Sequence, residues 1–237
     1  MIEVHGVCKS YRRKKAADHI DFTLPEGSGI VGIIGANGSG KSTLLKLLAG
    51  LARPDKGSIR VNGANVSRRS ASDIAYLSET ESYYSFYTVK EMIDFYASQF
   101  PDFNRKKADD MMAFMNIDKS SRIKSLSKGS RGRVKIMLAL SREASVILMD
   151  EPLSGLDPMV KESIVKGLIS YIDVERQTVL LTTHELGEIE PLLDQVMLMK
   201  DGQMLAWEYT EDIRLKHGLS TVEWMKSYYE NREAAYE

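Results

Sequence analysis

The string Gly35-Ala36-Asn37-Gly38-Ser39-Gly40-Lys41-Ser42 constrains this chain more than any other. It matches the phosphate-loop pattern G-x-x-x-x-G-K-[ST]. A short β-branched run, Ile30–Ile34, precedes it. Leu44, Leu45, Leu47, Leu48 and Leu51 follow at helical spacing, with Gly50 and Pro54 at the stop. Strand, tight turn and helix are therefore expected in that order. Each residue type then has a physical reason. The glycines let the backbone turn and aim its N–H groups at one spot, and the following helix points its positive dipole end there. Lys41 adds a mobile cation for the β- and γ-phosphates, and Ser42 offers a hydroxyl oxygen to Mg²⁺. Gly35, Asn37, Gly38, Ser39, Gly40, Lys41, Ser42 and Thr43 are thus the candidate phosphate-binding residues. The loop alone does not choose among ATPase, GTPase and kinase.

A second string narrows the choice. Val146–Met149 is an apolar run ending in Asp150-Glu151-Pro152. In a parallel sheet, ligands lie beyond the carboxyl ends of the strands, so these acids can sit beside the phosphate loop. Asp150 is placed to reach Mg²⁺, which prefers oxygen ligands. Glu151, one residue on, is placed to polarise a water attacking the γ-phosphate. A kinase has less need of that acid, so the pair favours hydrolysis.

The rest of the chain supplies the frame. Strands are expected at Ile2 to Val7, Ile20–Leu24, Ser58–Val61 before the Asn62-Gly63 turn, and Ile74–Leu77. From Thr88 the pattern becomes helical. Thr88 and Glu91 form a capping box, Asn104 caps a helix whose Met111, Met112 and Met115 read as core, and a third helix is expected over Gly132–Glu143. Asp157-Pro158 opens another helix with Val160, Ile164, Val165, Leu168, Ile169 and Ile172 as its apolar face. Strands return at Val179–Thr182, Gln195–Met199 and Gln203–Trp207, with Asp201-Gly202 turning the chain between the last two. A helical tail holding Trp224, Met225, Tyr228 and Tyr229 follows Leu219. Alternating strands and helices predict an α/β fold with a mainly parallel sheet and a helical insertion. Hydrophobic residues at 43% and charged residues at 27% fit a globular chain. A formal net charge of −1 lacks the positive field of a typical nucleic-acid binder, so no nucleic acid is expected as partner. The single cysteine, Cys8, excludes an internal disulfide and fits a reducing compartment. With no secretory signal and no apolar stretch long enough to span a membrane, the chain reads as soluble and intracellular.

Three further strings complete an ordered set: Ser125-Leu126-Ser127-Lys128-Gly129-Ser130, Ser154-Gly155-Leu156-Asp157 and Thr182-Thr183-His184-Glu185. Together with the first two, and in this order, they resemble the ATP-binding subunits of ABC transporters, over Ile2 to Trp207. The resemblance implies a P-loop NTPase core with an antiparallel β part (residues 1–78 and 143–207), a helical subdomain carrying the signature loop (79–142), and a helical tail (208–237). It implies ATP and Mg²⁺ as cofactors and two subunits facing head to tail, identical or closely related. Ser127 and Gly129 would contact the γ-phosphate bound by the opposite subunit, and Asp157 would lie on the loop linking the sites. His184 would hydrogen-bond the γ-phosphate and help orient the water and Glu151. Tyr11 matches the aromatic residue that stacks on adenine. The basic turn Arg12-Arg13-Lys14-Lys15 beside it reads as solvated, with a triphosphate or an anionic headgroup as its other partner.

Two positions depart from the family pattern. Glu79 stands where a glutamine commonly contacts Mg²⁺ and the water. It remains an oxygen ligand but adds charge and loses the amide donor. Ser130 stands where the signature stretch usually ends in glutamine. Lys41, Asp150, Glu151 and His184 remain, so an active Mg-dependent ATPase is expected. The region from Glu81 to Met92, with Tyr83, Tyr84, Phe86 and Tyr87, matches the groove that receives a helix of the membrane subunit. Packing inside the insertion is the other reading of these aromatics. The expected partners are separate integral membrane permease subunits, with the ATPase held at the inner face of the membrane and the transport of export type. The alternative is a nucleotide-gated interaction module associated with ribosomes or DNA. A GTPase or small-molecule kinase is a third reading, and the absence of an Asn-Lys-x-Asp string counts against the former.

Overall fold

Two sheets bury the apolar strands. The computed structural model describes residues 1–80, 84–184 and 186–233. In chain order the elements are β1 (Ile2–Tyr11), β2 (Lys14–Leu24), β3 (Gly29–Ile34), α1 (Lys41–Leu48), β4 (Lys56–Val61), β5 (Ala64–Asn65), β6 (Ile74–Leu77), α2 (Val89–Gln99), α3 (Arg105–Phe114), α4 (Lys128–Leu140), β7 (Val146–Met149), α5 (Pro158–Tyr171), β8 (Thr178–Thr183), α6 (Leu186–Ile189), β9 (Gln195–Lys200), β10 (Gln203–Tyr209), α7 (Thr210–Asp212) and α8 (Thr221–Glu233). One sheet is four-stranded, in the order β2-β1-β4-β5, and its pairs are antiparallel. The other is six-stranded, in the order β10-β9-β3-β8-β7-β6. It is parallel except for the β9–β10 pair at its edge.

Strand periodicity sends alternate residues of the larger sheet to its two faces. Val31, Ile33, Leu148 and Leu180 pack with the α1 leucines and with Ile2, Val4 and Ile20 of the antiparallel sheet. Ile30, Ile34, Ile147 and Met149 pack with the helices of the insertion, including Met111, Met112 and Met115. These methionines are buried, as expected of core residues.

The capping signals fold as read. The Thr88 N–H donates to Glu91 Oε2 at 2.7 Å, and the Glu91 N–H donates to Thr88 Oγ1 at 3.2 Å. Asn104 accepts from the Lys107 N–H, and Asp157 from the Val160 N–H, each at 3.0 Å. Two expectations shift. Helix α4 starts at Lys128 and ends at Leu140, not over Gly132–Glu143. Its first turn, Lys128-Gly129-Ser130-Arg131, is not buried and carries no apolar period, so the pattern becomes visible one turn late. On α5, Val160, Ile164 and Leu168 are buried, whereas Ile169 is 64% exposed and lies off the core face. The tail helix docks on the body, with Trp224 buried in the main core. Tyr84 and Phe86 are exposed, while Tyr87 packs against the core as the second reading of these aromatics expected. Tyr83 lies outside the described residues. No described helix is long and apolar enough to cross a membrane.

Candidate functional site

Sheet register assembles the site. Ile34 of β3 lies level with Thr183 of β8, and Met149 of β7 level with Leu181. The carboxyl ends of β3, β7 and β8 therefore open on one side, where such sheets bind ligands. The phosphate loop leaves β3 there and α1 begins at Lys41. Gly40 caps that helix at φ 111°, a conformation that L side chains rarely adopt. A cavity of about 600 Å³ opens beside the loop, lined by Tyr11, Lys14, Ala16, Asn37, Gly38, Gly40, Lys41, Ser42, Thr43, Glu79, Glu151, Ser154 and His184. Gly35 and Ser39 are not on its wall. The Ser39 hydroxyl is buried and makes no hydrogen bond.

The side chains around the cavity are tightly coupled. Lys41 Nζ donates to the Gly35 carbonyl at 2.7 Å and to that of Ala36 at 3.3 Å, and lies 3.8 Å from Glu151 Oε1. Burial holds its ammonium below the ordinary lysine range, partly offset by the charges of Glu151 and Asp150. Ser42 Oγ donates to Asp150 Oδ1 at 2.7 Å. His184 Nδ1 lies 2.9 Å from Glu151 Oε2. Glu151 has φ 48°, a left-handed backbone on a non-glycine residue. Such strain persists only where its surroundings enforce it.

Thr182 and Tyr76, to which the sequence alone assigns no role, orient the two acids. The Thr182 hydroxyl donates to Asp150 Oδ1 at 2.9 Å and accepts from the Glu151 N–H at 2.9 Å, so one side chain orients both acids. Tyr76 Oη donates to Asp150 Oδ2 at 3.4 Å. Burial, followed by the charge of Asp150, raises the phenol above its ordinary range and keeps it a donor. Lys14 Nζ lies 2.6 Å from where a Cβ on Gly38 would stand, which puts a second ammonium over the phosphate loop. The only sequence signals were a threonine before His184, a tyrosine three residues before Glu79, and the basic turn after Tyr11.

Tyr11 stands at the cavity rim, 48% exposed. Glu79 is exposed and also lines the cavity. Its loop is held by Lys135 of α4, whose Nζ donates to the Ser78 carbonyl at 2.8 Å and to the Glu79 carbonyl at 3.2 Å. Ser42, Asp150 and Glu79 offer oxygen donors alone, the chemistry that suits Mg²⁺. Ser127 and Gly129 do not line the cavity. Ser127 is exposed at the start of α4, where its Oγ accepts from the Ser130 N–H at 3.1 Å. A Cβ on Gly129 would stand 2.8 Å from Val160 Cγ2, so close α4–α5 packing also requires glycine there. Glu185 lies outside the described residues.

Known proteins resemble this chain in sequence and in fold. An uncharacterised ABC transporter ATP-binding protein of Methanocaldococcus jannaschii is 33% identical, over 90% of this chain and 79% of its own length. Relatives at 30% identity are named for both directions of transport: a Nod factor export ATP-binding protein of Neorhizobium galegae and an Fe(3+) ions import ATP-binding protein of Pectobacterium atrosepticum. Among solved structures, an ATP-binding subunit of an ABC transporter superposes with a TM-score of 0.81 at 25% identity, covering 96% of this chain and 98% of that one. An ATP-binding cassette solved as a dimer in a post-hydrolysis state with ADP and Pi superposes at 0.77 with 22% identity, over 88% and 98% of the two chains. The family model for ABC transporters matches residues 17–154, across the phosphate loop, the helical insertion and the two acids, and the chain belongs to that family.

Proposed function

We propose that this chain is a Mg-ATP hydrolase whose site is completed by a second cassette and whose turnover drives separate membrane subunits. The carrying observation is the convergence of Lys41, Glu151 and His184 on one cavity, while Ser127 and Gly129 stand outside it. A pocket lined by cations and acids, with its second anion-binding turn outside it, suits a triphosphate clamped between two chains.

The geometry supports the following residue roles. Asn37, Gly38, Gly40 and Thr43 line the phosphate subsite with Lys41, while Gly35 and Ser39 shape the loop from behind. Lys41 now rests on loop carbonyls and is free to transfer its donors to the stronger phosphate acceptors. Tyr11 offers its ring to the base. Ser42, Asp150 and Glu79 would hold Mg²⁺, which neutralises phosphate charge when bound. Glu151 takes the proton of the attacking water, and His184 holds the carboxylate in line. Its strained backbone fixes that direction at no cost during the reaction. Ser127 and Gly129 close the pocket from the partner chain, and loss of the γ-phosphate releases them. The exposed Tyr84 and Phe86 support a membrane-subunit partner docking on the insertion, with the ATPase at the inner face of the membrane. The export reading draws no support from relatives named for both directions.

Glu151→Gln tests the core of this reading. The variant is expected to bind ATP, form a nucleotide-dependent dimer on a sizing column and lose hydrolysis by about 10²- to 10⁴-fold. Hydrolysis at the wild-type rate would overturn the assignment. Recovery of the native protein with ribosomes or DNA, rather than with an integral membrane partner, would overturn the transport part.

A further inference from the structure

We infer that Cys8, Asp18 and His19 form a binding site for a zinc-class transition ion, at the hairpin that carries Tyr11 and Lys14. The ligand atoms of these three side chains all lie within 4.8 Å of one another. The set combines a thiol, an imidazole and a carboxylate. Thiolate and imidazole select borderline-soft ions over Mg²⁺ or Ca²⁺, and three protein ligands with an open fourth position suit Zn²⁺. Ligand atoms around one tetrahedral zinc stand about 3.3–3.8 Å apart, so closure asks for movements of about 1 Å.

The backbone brings these residues together against its own preference. Strands β1 and β2 pair with register shifts on both sides of Val7, between Val4 and Val7 and again between Val7 and Lys9. Within this irregular stretch His19 takes φ 52°, the left-handed region. Its N–H then points to Cys8 Sγ at 3.4 Å, while its Nδ1 lies 2.9 Å from Asp18 Oδ1. The thiol is weakly satisfied, at 3.8 Å from the Gly6 carbonyl. Cys8 and Asp18 are partly buried and His19 is exposed, so an ion can reach the site from solvent and keep a water. Lys15 is the opposing charge, with its Nζ 3.0 Å from Asp18 Oδ2. It occupies one carboxylate oxygen, and the other, Oδ1, faces His19 Nδ1, a contact that an ion bound between the two would replace. The Asp18 N–H donates to the Gly202 carbonyl at 2.8 Å, and Gly202 in turn donates to the Ser39 carbonyl at 2.9 Å. A bound ion would therefore staple the hairpin beside the phosphate loop.

Cobalt(II) is the probe, added to chelator-treated full-length protein without nucleotide, so that the outcome is independent of the ATPase reading. One equivalent is expected to give a thiolate-to-cobalt charge-transfer band, displaced by one equivalent of Zn²⁺, with a rise in melting temperature. Cys8→Ser and His19→Gly should each abolish the band. Glycine suits the left-handed backbone at position 19, so that variant keeps its fold while losing a ligand. Lys15→Met should tighten binding by removing the competing cation. Absence of the band in the wild type, or its survival in either ligand variant, overturns the site.

Discussion

At the residue scale, function depends on a few side chains held between opposing demands. Lys41 is buried with two acids nearby yet spends its donors on loop carbonyls. Its lowered proton affinity has a testable consequence. Bound triphosphate favours the ammonium, so between the depressed value and the ordinary lysine range ATP binding takes up a proton. Affinity should then fall as pH rises through that window. Calorimetric titrations just below the ordinary lysine range, in buffers of different ionisation enthalpy, should reveal this uptake. Lys14 offers a simpler test. Its ammonium stands over Gly38 and is exposed, so Lys14→Met should weaken ATP binding by about two- to fivefold, more at low ionic strength. Fluorescent-nucleotide titration against salt checks both parts.

At the scale of elements, the helical insertion is fastened to the sheet by polar contacts as well as by its core. Arg142, just after α4, is 3% exposed. Its Nε lies 2.7 and 2.8 Å from the two oxygens of Asp102, its Nη2 donates to the Ala71 carbonyl at 2.8 Å, and its guanidinium covers the Phe100 ring at 3.9 Å. The contact joins the α2–α3 loop to the turn before β6. Asp102→Ala leaves the guanidinium buried without its counter-ion and should cost about 3 kcal/mol, read as a lower urea midpoint. Lys135 fastens the Glu79 loop to the same helix that Ser127 caps. A movement of α4 is therefore felt directly at the proposed metal-facing loop.

Across the whole molecule, the tail belongs to the fold. Trp224 is 2% exposed and sits in the same core as β3 and β7. Tyr229 lies under Lys200, 5.3 Å from its Nζ. Trp224→Ala should destabilise the protein by about 3–5 kcal/mol, measured by thermal or urea unfolding. A tail that was merely appended would show almost no loss.

Much was legible in the linear order of residues. The phosphate loop, the Asp150-Glu151 pair and the helix caps are local devices whose chemistry works within one or two turns of chain, so spacing alone exposes them. That Ile169 faces solvent depended on packing partners distant in sequence. The same holds for the sheet order, which places β3 between β8 and β9. Thr182 illustrates the division. Its identity is visible at once, but its grip on both acids exists only because parallel pairing sets β7 beside β8. Sequence determined which chemical groups this protein carries and the local turns that present them. Tertiary structure alone decided which groups meet, because long-range strand pairing and burial are collective and leave no mark at any one position.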